Sequence, residues 1–212
     1  MNNGVIYIKL PVYVQQFLRQ RYCKEGAEGS EPIKLNHELH PAGILLYRKA
    51  CCLPKPYRVT PLCLSAQLYG LCVLIHRTSP ESIPTELQEL AKSLPAEKDI
   101  KFFAPFAIQP EHTFRSRLVP CGPTTQLNTE DAQQFRAIIF QEFWEDYYSF
   151  REEWDSHPEM RGGAKLEEQS AIIEYMIRRD IDLDHEDALV RAIRRRKHNN
   201  KVSIECRINK YK

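Results

Sequence analysis

Apolar positions in this chain repeat first with the period of alternating strands and short helices, and later with the period of long helices. Residues 5–10 (Val-Ile-Tyr-Ile-Lys-Leu) are β-branched and aromatic, which predicts a strand, and Pro11 stands where a first helical residue is well tolerated. Val14, Phe17, Leu18 and Tyr22 then recur at helical spacing, with Gln15, Gln16, Arg19, Gln20 and Arg21 on the other face, so a helix is expected over 11–23. Glycines at 26 and 29 end it. A second short strand is expected at 31–35, and Pro41 opens a second helix through Ile44, Leu45, Leu46 and Tyr47.

Ten prolines punctuate residues 54–127, a spacing that long helices do not survive. The mostly apolar run 62–76, broken at Gly70, reads as one or two buried strands. Leu87, Leu90 and Leu94 suggest a helix over 84–94, and 101–108 reads as a strand at a sheet edge, because Pro105 cannot donate to a ladder. Residues 1–125 are therefore expected to form an α+β domain with a small mixed sheet.

From Asn128 the pattern becomes helical. Acidic residues occupy the first turn, where the helix dipole favours them, and Phe135, Ile138, Ile139, Phe143, Trp144, Tyr147, Phe150 and Trp154 follow at i, i+3, i+4 spacing. A second helix carries Leu166, Ile173, Met176 and Ile177, and a third runs from about 184 to 197 with Asp184 as N-cap and Asp187 three residues on. The expectation for 128–212 is an all-helical, three-helix, helix-turn-helix-like domain.

At 212 residues, 42% hydrophobic and 27% charged, the chain can bury a real core without metals or disulfides. No apolar run approaches the ~18 residues a spanning helix needs, and no secretion signal is evident, so a cytoplasmic protein without membrane partners is expected. The seven cysteines form no CxxC pair, which argues against a zinc site or a disulfide framework. The eight glycines form no phosphate-binding or nucleophile-elbow motif, and the seven histidines show no metal-ligand spacing. No cofactor or metal is expected. The acidic run from Asp180 to Asp187 begins like a calcium loop but has His185 where glycine is required and Arg191 where a bidentate Glu is required, so an inter-helix turn is preferred.

The formal net charge of +2 conceals a dipolar chain. Residues 1–60 carry nine basic against four acidic side chains, 61–127 six against six, 128–187 six against seventeen, and 188–212 nine against one. On the last predicted helix Arg191, Arg194, Arg195 and His198 fall opposite Leu189, while Arg196 falls on the packed side and must snorkel or mark fraying. Arg191, Arg194, Arg195, Lys197, His198 and Lys201 are the candidate nucleic-acid contacts, since a basic last helix suits phosphates and guanine edges of a groove. Such a face is equally a solvated end that complements its own helix dipole. Of the aromatic ladder Trp144, Tyr147, Tyr148, Phe150 and Trp154, only Tyr148 lies off the core stripe and is a candidate for stacking on bases.

The opening Tyr7-Ile8-Lys9-Leu10-Pro11-Val12-Tyr13-Val14 with Phe17-Leu18-Arg19 resembles a group of uncharacterised proteins carried in bacterial prophage and transposon-like gene clusters. So does the closing pattern Ile173-Glu174-Tyr175-Met176, Asp180-Ile181-Asp182 and Glu186-Asp187-Ala188-Leu189. The resemblance covers the two ends better than the Pro-rich middle and carries over no functional residue. It implies a mobile-element context, hence a DNA-associated accessory or regulatory role. The expected function is non-enzymatic DNA binding. The alternatives are a protein-interaction or self-association module using acidic and basic helical faces, and an enzyme whose site is assembled from distant residues.

Overall fold

In the computed structural model, which describes residues 4–24, 31–52, 59–78, 82–108, 125–157 and 168–209, the first predicted strand is β1 (Gly4–Lys9). Its pleat alternates as the sequence requires, with Ile6 and Ile8 fully buried and Val5, Tyr7 and Lys9 half-buried. The protein is α+β. Its chain divides into two compact units, Met1–Trp144 and Glu145–Lys212.

In the first unit, Pro11 leads into α1 (Val12–Tyr22), and His40 caps α2 (Pro41–Lys49). A short β2 (Cys51–Cys52) follows, then β3 (Cys63–Ser65), α3 (Ala66–Arg77), α4 (Thr85–Ser93), α5 (Glu97–Ile100), β4 (Phe103–Ile108) and β5 (Thr125–Gln126). The main sheet has the order β3-β1-β4, antiparallel throughout, with Ile6 opposite Ser65 and Phe106; β2 pairs with β5. Pro105 sits on the edge strand as expected. Its backbone nitrogen points to the outer side of β4, where Ile33 takes only the Pro105 carbonyl (2.9 Å) and accepts from the Ala107 amide. The second strand expected at 31–35 is reduced to this single parallel bridge between Ile33 and Phe106.

The apolar run 62–76 departs from its reading as strands. Only Cys63–Ser65 is extended; the Ser65 hydroxyl then accepts from the Leu68 amide (3.2 Å) and starts α3. Leu68 and Cys72, one turn apart, are the buried positions of that helix, and Leu, Ala, Gln and Tyr sustain it where β-branched residues are few. A second departure lies in α1, where Gln15 and Arg19 are buried rather than solvated. The Gln15 amide donates to the carbonyls of Leu10 (2.8 Å) and Lys101 (3.0 Å), and Arg19 Nη1 donates to the Glu31 carbonyl (2.8 Å), so each closes backbone groups that the fold would otherwise bury unpaired.

The long helix is α6 (Thr129–Ser156), introduced by Asn128, whose side chain accepts from the Asp131 amide (2.7 Å). The division between the units falls inside it. Its first part supplies Phe135 against Phe106 (ring centroids 4.9 Å) and Phe143 against Phe17 (5.3 Å), closing the core of the first unit.

The second unit consists of the rest of α6, α7 (Glu168–Arg178), a short 3-10 turn (Leu183–His185) and α8 (Glu186–Asn209). Tyr175 is fully buried, with Tyr147 and Phe150 edge-on or tilted against its ring at 5.1 and 5.3 Å. The apolar stripe of α7 is Ala171, Ile172, Tyr175 and Met176; of the expected Ile173, Met176 and Ile177 only Met176 is fully buried, Ile173 being half-buried and Ile177 59% exposed. The Tyr175 hydroxyl explains this rotation, because it is drawn to Asp146 (3.1 Å), which also takes a two-pronged contact from Arg179 (2.7 and 2.9 Å). Leu166 lies outside the described residues. Among the described residues, no helix is long and apolar enough to cross a membrane.

Candidate nucleic-acid interface

The cap that precedes α8 lies two residues earlier than the Asp184 expected from the sequence. Asp180 adopts a left-handed conformation (φ 52), the Ile181 amide reaches back to the Met176 carbonyl (2.8 Å), and Ile181 is buried beneath the turn. The capping side chain is Asp182, which accepts from the Asp184 amide (3.0 Å); Asp184 itself is exposed and follows the cap. The acidic run is thus a helix stop and a helix start in eight residues. Among the described residues, no group of three His, Cys, Asp or Glu is arranged to hold a metal.

Leu189 and Ile193 are buried, Val190 and Ala192 half-buried, and Arg191, Arg194, Arg195, Lys197 and His198 are all exposed. The helix therefore presents the face that its periodicity predicts. Arg191 Nε donates to the Asp187 carbonyl (3.1 Å) and Arg195 Nε to the Arg191 carbonyl (3.3 Å), contacts that hold each stem along the helix. Among the described residues, Arg194 makes no such contact. Lys197 is committed differently, its ammonium forming an ion pair with Glu168 of α7. Lys201 falls within α8, and its side chain lies outside the described residues.

Arg196 snorkels. It is half-buried with its guanidinium 5.8 Å from the centre of the Tyr148 ring. That contact also decides the fate of the one aromatic residue left for base stacking, since Tyr148 is half-buried, faced by Arg196 and met by Tyr147 at 5.5 Å.

Beside the arginine stripe, α7 and α8 enclose a groove of about 340 Å³ whose walls include Glu168, Glu186, Asp187, Arg191 and Arg194. Glu186 accepts from the Gln169 side chain (2.6 Å), bridging the two helices. One wall of the basic face is thus acidic, which the summed charge of the segments did not reveal.

The first unit holds a second polar constellation, built from residues far apart in the chain. Glu142 accepts from the Tyr22 hydroxyl (2.5 Å) on one oxygen and meets His40 Nε2 (3.0 Å) on the other, with Arg21 at 3.4 Å. His40 Nδ1 accepts from the amides of Ala42 (3.1 Å) and Gly43 (3.4 Å), so its proton resides on Nε2 and is donated to Glu142. Burial opposes the Glu142 charge, but hydrogen bonds from His40 and Tyr22 and the positive charge of Arg21 prevail and hold its carboxyl below the usual range. Tyr22, buried and tied to that carboxylate, is raised well above the ordinary phenol range. The set joins α1, α2 and α6. No sequence motif marks it, because its partners are separated by 102 and 120 residues.

Compared with known proteins, the chain matches no family model, no curated protein and no solved structure.

Proposed function

We propose that this protein binds nucleic acid without enzymatic turnover, as an accessory or regulatory protein of a mobile element, through the basic face of α8. The observation that carries the reading is the exposure of Arg191, Arg194 and Arg195 on one side of a helix whose opposite side, Leu189 and Ile193, is anchored in the unit's core. Long cationic side chains on a fixed rod neutralise phosphates at low conformational cost, and the counterions they release make binding salt-dependent. Removing three such contacts should lower the log–log salt slope by about 3. A duplex titration at two salt concentrations, with the wild type and the Arg191→Ala/Arg194→Ala/Arg195→Ala variant, tests this: no binding by either, or equal slopes, sinks the proposal.

A second reading rests on a different feature. Exposed Asp182, Asp184 and Asp187 immediately precede the arginines, so two copies of α8 packed antiparallel would pair acid with base in a self-complementary interface. Sedimentation at low and high salt distinguishes it: a salt-sensitive dimer with no affinity for DNA favours self-association.

A further inference from the structure

We infer that the ligand of α8 is a double-stranded nucleic acid gripped by its sugar-phosphate backbone without regard to sequence, the later turns of the helix lying along the phosphates and its first turn held off them. The inference rests on the nucleic-acid reading above and narrows it in two respects.

The first concerns how the helix approaches. A helix that reads bases in the major groove does so with its N-terminal residues, which must come close to the phosphates on both sides of the groove. Here that end is ringed with carboxylates: Asp182, Asp184 and Asp187 are exposed, Glu186 is half-buried, and Glu168 stands across the groove. Each faces a like charge if the first turn enters a groove. Glu168 is paired with Lys197, whereas Glu186, hydrogen-bonded by the neutral Gln169 amide, keeps its charge and stands with the exposed Asp184 and Asp187 where the phosphates would come. Sliding the contact toward the C-terminal side removes the conflict. Arg191, Arg194, Arg195 and His198 then form a stripe spanning eight residues, a rise of about 10 Å at 1.5 Å per residue, enough to follow adjacent phosphates of one strand but without the side chains that read base edges from a helix start.

The second concerns which nucleic acid. Sequence-tolerant grip on single strands relies on aromatic side chains that stack on unpaired bases beside a cationic track. Among the described residues of this unit, Tyr147, Phe150, Trp154 and Tyr175 are buried in the core, and Tyr148, the remaining aromatic residue, is covered by Arg196. The track is present and the stacking platform is not. A duplex, whose bases are already stacked and whose charge density is higher, is what this surface fits.

Fluorescence anisotropy with the full chain tests both points, using three duplexes of equal length and different base composition, a single strand of the same length, and the Glu186→Gln/Asp187→Asn variant. Glu186→Gln keeps an acceptor for Gln169. The expected result is affinities within about threefold among the duplexes, weaker binding of the single strand, and tighter binding of every duplex by the variant, by about twofold per charge removed at low salt. A preference of more than about tenfold for one duplex sequence, a preference for the single strand, or a variant whose affinity is unchanged overturns the inference while leaving nucleic-acid binding intact. Absence of binding to every probe at low salt overturns both. Circular dichroism of the variant establishes that its helices are retained, so that a changed affinity reports charge.

Discussion

At Glu142 a single carboxylate holds three helices of the first unit through Tyr22, Arg21 and His40. His40→Ala removes both a helix cap and a hydrogen bond to a charged group and should cost about 2–4 kcal/mol, of which His40→Asn recovers about 1 by restoring the cap. Urea titrations of the two variants check the order; equal losses exclude the capping role. The same geometry requires the imidazole proton on Nε2, which nitrogen NMR reads directly. In the second unit Asp180 spends backbone energy in a left-handed turn that favours glycine, so Asp180→Gly should stabilise by up to about 1 kcal/mol. A thermal melt in which that variant unfolds earlier contradicts the turn as described. None of these roles is legible locally. Tyr22 reads as an apolar position of α1 and His40 as one of several scattered histidines, because the carboxylate that joins them arrives from a helix more than a hundred residues away.

Two glycines show how far an element's own rules extend. A glycine inside a helix is ordinarily improved by alanine, and at Gly70 of α3 an added Cβ meets nothing within 4 Å; Gly70→Ala should stabilise by roughly 0.5–1 kcal/mol. At Gly43 of α2 the same Cβ would lie 2.3 Å from the Asn36 carbonyl oxygen, backbone that also accepts from the His40 amide and leads into the helix. Gly43→Ala should therefore destabilise, by about 1–3 kcal/mol. Equilibrium unfolding of both variants checks the opposite signs. The elements themselves follow closely from sequence where the apolar period is long or the terminus is marked, as in β1, α1, α2, α4 and α6. α3 shows the limit, since a short apolar run supports strand and helix alike until Ser65 is seen to bond the Leu68 amide.

Over the whole molecule, titration sets the limits of stability from both sides. The lowered carboxyl of Glu142 contributes stability that is full above the ordinary carboxylate range and is lost as pH falls through its lowered value. The phenols act in the opposite direction. Burial raises Tyr147 to about 12, and burial together with Asp146 raises Tyr175 further, so their contributions are full below about pH 10 and are lost as pH rises through the raised values. Thermal melts across pH should be flat from about 5 to 9 and fall steeply above 10, and Tyr175→Phe should lessen the alkaline fall. A melt series unchanged in slope by that variant refutes the assignment of the loss to Tyr175.

By itself the sequence determined the α+β class, the long aromatic helix, the edge strand at Pro105 and the face of α8 that carries Arg191, Arg194 and Arg195, because each follows from period and local backbone chemistry. The tertiary structure alone decided what those features are worth. It set Glu168 of α7 across the groove from the arginines, tied Lys197 to Glu168, and placed Arg196 over Tyr148. Charge summed along a segment records how many ionised groups there are. The distance between them, which decides whether two charges pair, repel or share a ligand, exists only once helices distant in sequence are packed together.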